Sequence, residues 1–110
     1  EEHDRAIVHL QKAAPKHWFA AGEKIHVENC PTRFGHITWT TESLPGPGKS
    51  VRWRCHLKFD KPFAAELIVH VHTPDGRPLT SASIGEVQHD RIALTTAVLA
   101  GQTELTVNIA

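Results

Sequence analysis

The chain has 110 residues, 40% of them hydrophobic, with twelve Lys and Arg against twelve Asp and Glu for a formal net charge of zero. A chain of this size buries roughly two thirds of the surface its unfolded form exposes, enough for one globular domain whose core needs neither metal nor disulfide. The balanced charge argues against a nucleic-acid or anionic-membrane partner, both of which call for a basic excess, and no run reaches the ~18 apolar residues of a membrane span.

The sequence has neither a Met at position 1 nor a signal-peptide pattern, so it is expected to be a processed product or a piece of a longer chain. Cys30 and Cys55 are its only cysteines. Their separation matches no zinc or Cys-x-x-Cys spacing and leaves a disulfide open.

Residues 4–14 (DRAIVHLQKAA) place Ile7, Leu10 and Ala14 at i, i+3 and i+7, which predicts a short helix capped by Asp4 and stopped by Pro15. A helix of about eleven residues is marginal in water, so its stripe is expected to pack on this domain or on a neighbour. From Ile25 onward the period changes to 2. A first strand is expected over 24–30, with Pro31–Gly35 as a tight connection, and a second over 36–42 with Ile37 and Trp39 on one face. The stretch LPGPG at 44–48 reads as a loop, because its two prolines lack donors.

The clearest strand is 50–59, where Val51, Trp53, Cys55, Leu57 and Phe59 alternate with Arg52, Arg54, His56 and Lys58. Residues 64–72 repeat the pattern, with Ala65, Leu67, Val69 and Val71 inward and Glu66, Ile68, His70 and His72 outward. Thr73-Pro74-Asp75-Gly76 is a turn, and shorter strands are expected at 81–87, 91–95 and 103–109. About seven strands with one-sided patterning predict an all-β fold, an antiparallel β-sandwich over 23–110, preceded by the helix and linker of 1–22.

His70 and His72 project from one strand face and so suggest a metal pair. Folding 50–59 and 64–72 as a hairpin would put Arg52 and Arg54 beside them, and a cationic face disfavours a metal. No metal and no cofactor are expected. The chain has no Gly-x-Ser-x-Gly elbow, and Glu23, Glu28, Glu42, Glu66, Glu86 and Glu104 are scattered over turns and outward positions, so no catalytic residue is assigned. Trp39 and Trp53 lie on apolar parities and are expected in the core, whereas Trp18 is fixed by no period and is the candidate for a ligand contact.

The segment HWFAAGEKIHVENCPTRFGHITW, residues 17–39, resembles a pattern of large bacterial proteins built on an (α/α)-barrel glycoside-hydrolase scaffold, with Pro31-Thr32-Arg33-Phe34-Gly35 as its corner. PDGRPLTSASIGEVQ, residues 74–88, is similar to a hairpin in the C-terminal β-sandwich tails of such enzymes, although Ile84 precedes Gly85 where those tails usually carry Asn. The two segments cover about a third of the chain. The resemblance implies a non-catalytic C-terminal accessory domain packed on a helical-barrel catalytic domain of the same secreted or periplasmic carbohydrate-active protein, with 4–14 as the last helix or linker of the barrel. None of the family's catalytic motifs appears here, so none of its catalytic residues is carried over.

The residues support the same expectation. Arg52, Arg54, His56, Lys58, His70 and His72 around Ile68 would make a polar face with an aliphatic anchor, as interdomain surfaces have, and Ile7 and Leu10 would join the seam. The alternative is a carbohydrate-binding module that holds polysaccharide with Trp18, Arg33 and Phe34. Neither reading involves nucleic acid or a membrane.

Overall fold

The computed structural model describes residues 7–46 and 51–110. Their strands are β1 (Ile7–Leu10), β2 (Lys24–Thr32), β3 (Gly35–Pro45), β4 (Val51–Phe59), β5 (Glu66–His70), β6 (Glu86–Gln88), β7 (Arg91–Leu94) and β8 (Glu104–Ile109). They form two four-stranded sheets ordered β1-β5-β7-β6 and β2-β3-β4-β8. The inward parities of both sheets meet in one apolar core: Val8, Leu10, Leu67, Val69, Ile92 and Leu94 from the first sheet, Ile37, Trp39, Trp53, Leu57 and Val107 from the second. The fold is all-β and sandwich-like.

The strict alternation of 51–59 becomes β4, an interior strand of its sheet, paired antiparallel with β3 on one side and β8 on the other. β2 and β3 form a hairpin whose two-residue turn, Arg33-Phe34, is closed by the register pair Thr32 and Gly35. The Thr32 hydroxyl donates to Gly35 O at 2.7 Å and accepts from Phe34 N–H at 3.0 Å. A β-bulge lies between Val27 and Cys30, where Asn29 takes a left-handed φ of 50° and donates its N–H to Thr38 Oγ1 at 3.0 Å.

Four expectations are corrected. The helix over 4–14 does not form: residues 7–10 are the parallel edge strand β1, paired with Glu66–Val69 of β5, while residues 4–6 lie outside those described. Parity therefore splits Ile7 from Leu10. Leu10 enters the main core beside Val8, whereas Ile7 joins Ile68 and Ala93 in a small cluster on the other face. The presumed hairpin of 50–59 with 64–72 is also absent, because β4 and β5 belong to opposite sheets. Part of the LPGPG stretch is ladder, since β3 runs to Pro45, the register partner of Val51; 47–50 lie outside the described residues. Finally, 81–87 supplies only an isolated bridge, Ala82 with Ile109, before the three-residue β6.

Residues 7–19, expected as helix and linker ahead of the sandwich, contribute β1 and then a 3-10 turn (Lys16–Phe19) whose Phe19 is fully buried. Trp53 donates its indole N–H to Phe19 O at 3.0 Å and so ties this turn to the core. The sequence-predicted turn at 73–76 forms, with Gly76 N–H donating to Thr73 O.

Candidate functional site

The outer face of β2-β3-β4-β8 is the polar surface of the molecule, and its side chains fall into rows because register partners share a face. One row crosses all four strands as His26, Thr40, His56 and Thr106. In it, His26 Nδ1 lies 2.6 Å from Thr40 Oγ1 and its Nε2 3.2 Å from Glu28 Oε1. The same string recurs two strands away: His56 Nδ1 is 2.7 Å from Thr106 Oγ1 and its Nε2 2.8 Å from Glu104 Oε1.

A carboxylate partner demands a proton on Nε2, so in the neutral ring the threonine hydroxyl donates to the Nδ1 lone pair. Each string thus has the composition of a hydroxyl–imidazole–carboxylate relay. A relay also needs preorganised donors for an oxyanion, and inside a sheet the backbone N–H groups are consumed by the ladder. What remains is a surface of paired, pre-oriented polar groups around a shallow recess of about 210 Å³ between His26 and His56, with Lys58 and Arg54 in the flanking rows.

A second histidine cluster sits on the first sheet. His9 Nδ1 and His70 Nε2 are 2.8 Å apart, and the His72 ring stacks at 6.2 Å from that of His70. The His9–His70 bond needs one lone pair, so it survives a single proton but not two charged rings. His70 is 2% exposed, and burial, with the Arg91 guanidinium and His9 adding to it, pushes its pKa down to about 4. His72 Nε2 donates to the backbone, 2.9 Å from Lys12 O and 3.2 Å from Gln11 O. Gln11, at a left-handed φ of 64°, spans the two sheets: its Nε2 donates to His70 O at 2.9 Å and its Oε1 accepts from the Thr41 hydroxyl at 2.6 Å. Among the described residues no group of three or more His, Cys, Asp or Glu is arranged to hold a metal ion.

The sequence-predicted site residues do not come together. Arg52 and Arg54 face outward from β4, whereas His70 ends β5 of the opposite sheet and His72 follows it, so the single cationic face expected from a hairpin is two separate surfaces. His70 has the outward parity but is buried, as is Ile68. Trp18 is 46% exposed, in the 3-10 turn that leads to Gly22, whose N–H donates to Ser43 O near one end of β3. Phe34 lies at the opposite end of β3, its ring 5.9 Å from Phe63 with the Arg33 guanidinium 5.2 Å above it. Trp18 and Phe34 therefore do not line one sugar platform. Both cysteines are free, and burial pushes the Cys55 thiol up to about 11 against a weaker opposing effect of the Thr41 hydroxyl.

Sequence reasoning missed the two Thr–His–Glu strings. His26 and Glu28, two apart on one strand, carried a usable signal; pairing His56 with Glu104 required the register of β4 with β8. Comparison of the chain with protein-family models, curated proteins and solved structures finds no match in any of the three.

Proposed function

We propose that the chain is a non-catalytic accessory domain of a secreted or periplasmic carbohydrate-active protein, and that it packs on and stabilises a helical-barrel catalytic domain of that protein. The observation that carries this reading is the outer face of β2-β3-β4-β8, a polar surface whose imidazoles are already held between hydroxyl and carboxylate. Side chains ordered in advance lose little entropy on association, and a polar surface of this kind suits an interface between domains of one chain. The two family-like segments agree with it, because both serve architecture: one is the Thr32-capped hairpin turn, the other the turn at Gly76 and the segment along β8. The test is thermal unfolding of the longer protein beside that of this domain. His26→Ala/His56→Ala should lower the melting temperature of the longer protein and leave that of the domain nearly unchanged. Equal shifts, or glycoside hydrolysis by the domain alone, refute the reading.

The exposed Trp18 favours a second reading, a carbohydrate-binding module that stacks a sugar ring on this indole. Saturable quenching of tryptophan fluorescence by an oligosaccharide, lost in Trp18→Ala, is the expected sign of it.

A further inference from the structure

From the geometry we infer that a groove at the β4–β8 side of the second sheet is a subsite for a carboxylated sugar unit, a uronate. The sugar half of this inference rests on the carbohydrate-active reading above; the anion half rests on the groove itself. The groove measures about 470 Å³ and is lined by Arg52, Arg54, Ser81, Ser83, Asn108 and Leu44 among others, none of which carries a carboxylate side chain. Sites for small ligands span about 300–1,000 Å³, so there is room for one or two sugar rings.

Arg52 and Arg54 are two apart on β4, hence about 6.8 Å apart on one face. Among the described residues neither guanidinium has an ion-pair partner, although Glu42 is the register partner of Arg54 on β3. Unpaired guanidinium groups present rigid forks of N–H donors that match a carboxylate, and two of them side by side along one groove supply donors for the same anion.

The remaining lining suits the rest of such a ligand. Ser83 Oγ accepts from Asn108 N–H at 2.9 Å, which leaves the hydroxyl proton to be donated to a ligand oxygen. Leu44 and Ala82 offer apolar contact for a ring's C–H face. The wall formed by 80–83 is fixed along β8: Ser83 N–H donates to Asn108 O at 2.9 Å, Ala110 N–H to Ser81 O at 2.9 Å, and Ala110 O accepts from Thr80 N–H at 2.7 Å.

Isothermal titration of the chain with tetragalacturonate tests the assignment, with a neutral tetrasaccharide of the same length and inorganic sulfate as parallel probes. The expected result is saturable binding of tetragalacturonate, weakened by added salt and reduced about tenfold or more in Arg52→Gln/Arg54→Gln, the loss expected for one or two charge-assisted hydrogen bonds. Both side chains point to solvent, so the variant should keep the wild-type melting temperature; single Arg52→Gln and Arg54→Gln variants, each expected to show part of the loss, serve in its place if it does not. Absence of binding, equal binding of the neutral tetrasaccharide, or unchanged affinity in the variants overturns the subsite. Sulfate competing as well as tetragalacturonate on a molar basis overturns the sugar assignment alone. None of these outcomes bears on the melting-temperature comparison that tests the accessory role.

Discussion

His70 gives the molecule a pH dependence whose sign and size follow from its surroundings. Folded, its pKa is near 4; in the unfolded chain it returns to the ordinary 6.5. Below pH 6.5 the unfolded state takes up a proton that the native state refuses until about pH 4, so this residue's contribution to stability is complete above pH 6.5 and is lost as pH falls to 4. With those two values the loss relative to pH 7 is about 2 kcal/mol by pH 5 and about 3 kcal/mol by pH 4. The backbone N–H and then the ring of His36 hold Asp60 low, and the Arg91 guanidinium holds Asp90 low, so their contributions are present above the ordinary carboxylate value of 3.8 and are lost as pH falls through it, at the acid end of this window. The assay is urea unfolding followed by tryptophan fluorescence, for wild type and His70→Gln, across pH 7 to 4. The glutamine keeps a polar group opposite His9 but cannot titrate, so its curve should be flatter by the amounts given, whatever the other histidines contribute to both proteins. Parallel curves, or a wild type that gains on His70→Gln as pH falls, refute the reasoning.

Trp53→Ala removes a 1% exposed indole and its bond to Phe19 O, and should cost about 3–5 kcal/mol in urea unfolding. Leu10→Ala should cost about 2–5 kcal/mol in this domain by itself, because the side chain belongs to its own core; a loss confined to a longer protein would return Leu10 to an interdomain seam. Gly85 has φ 87° and a Cβ there would lie 2.7 Å from Ala93 O, whereas at Gly76 (φ 78°) a Cβ meets nothing within 4 Å. Gly85→Ala should therefore lower the melting temperature well beyond Gly76→Ala, which bears only the backbone strain of about 1 kcal/mol. In native protein iodoacetamide should label half-buried Cys30 and spare Cys55, with both labelled in urea, as intact-mass measurement will show.

The sequence disclosed the parities and concealed the pairings. Period-2 alternation alone placed Trp39, Trp53, Leu57, Leu67 and Val107 in the core, because burial on one face leaves its mark residue by residue. It failed at 4–14, where helical spacing and strand parity are both satisfied by so short a run, and the free edge of β5 decided for Ile7, Val8 and Leu10 as β1. It failed again in joining β4 to β5, since nothing in an alternating strand says which sheet it enters. Outward parity misled at His70 and Ile68, whose face of the sheet is buried. The polar strings were half visible for the same reason: His26 and Glu28 are local, while Glu104 reaches His56 only after the sheet has formed.

The parallel pairing of β1 with β5 also dictates an order of events. β2, β3 and β4 are joined by sequential antiparallel pairings and can zip together as each is made, whereas β1, which precedes them in the chain, has no partner until Glu66–Val69 exists. Closing so long a stretch of chain carries an entropic cost that no local contact repays. The strand is therefore expected to dock late, and until it does Ile7, Val8 and Leu10 stay uncovered on a nascent chain whose other sheet is largely assembled. Sequence-distant edges of this kind are where chaperones bind and where neighbouring chains exchange strands. For this fold the hazards of crowding fall on Ile7–Leu10, and they end when β5 arrives.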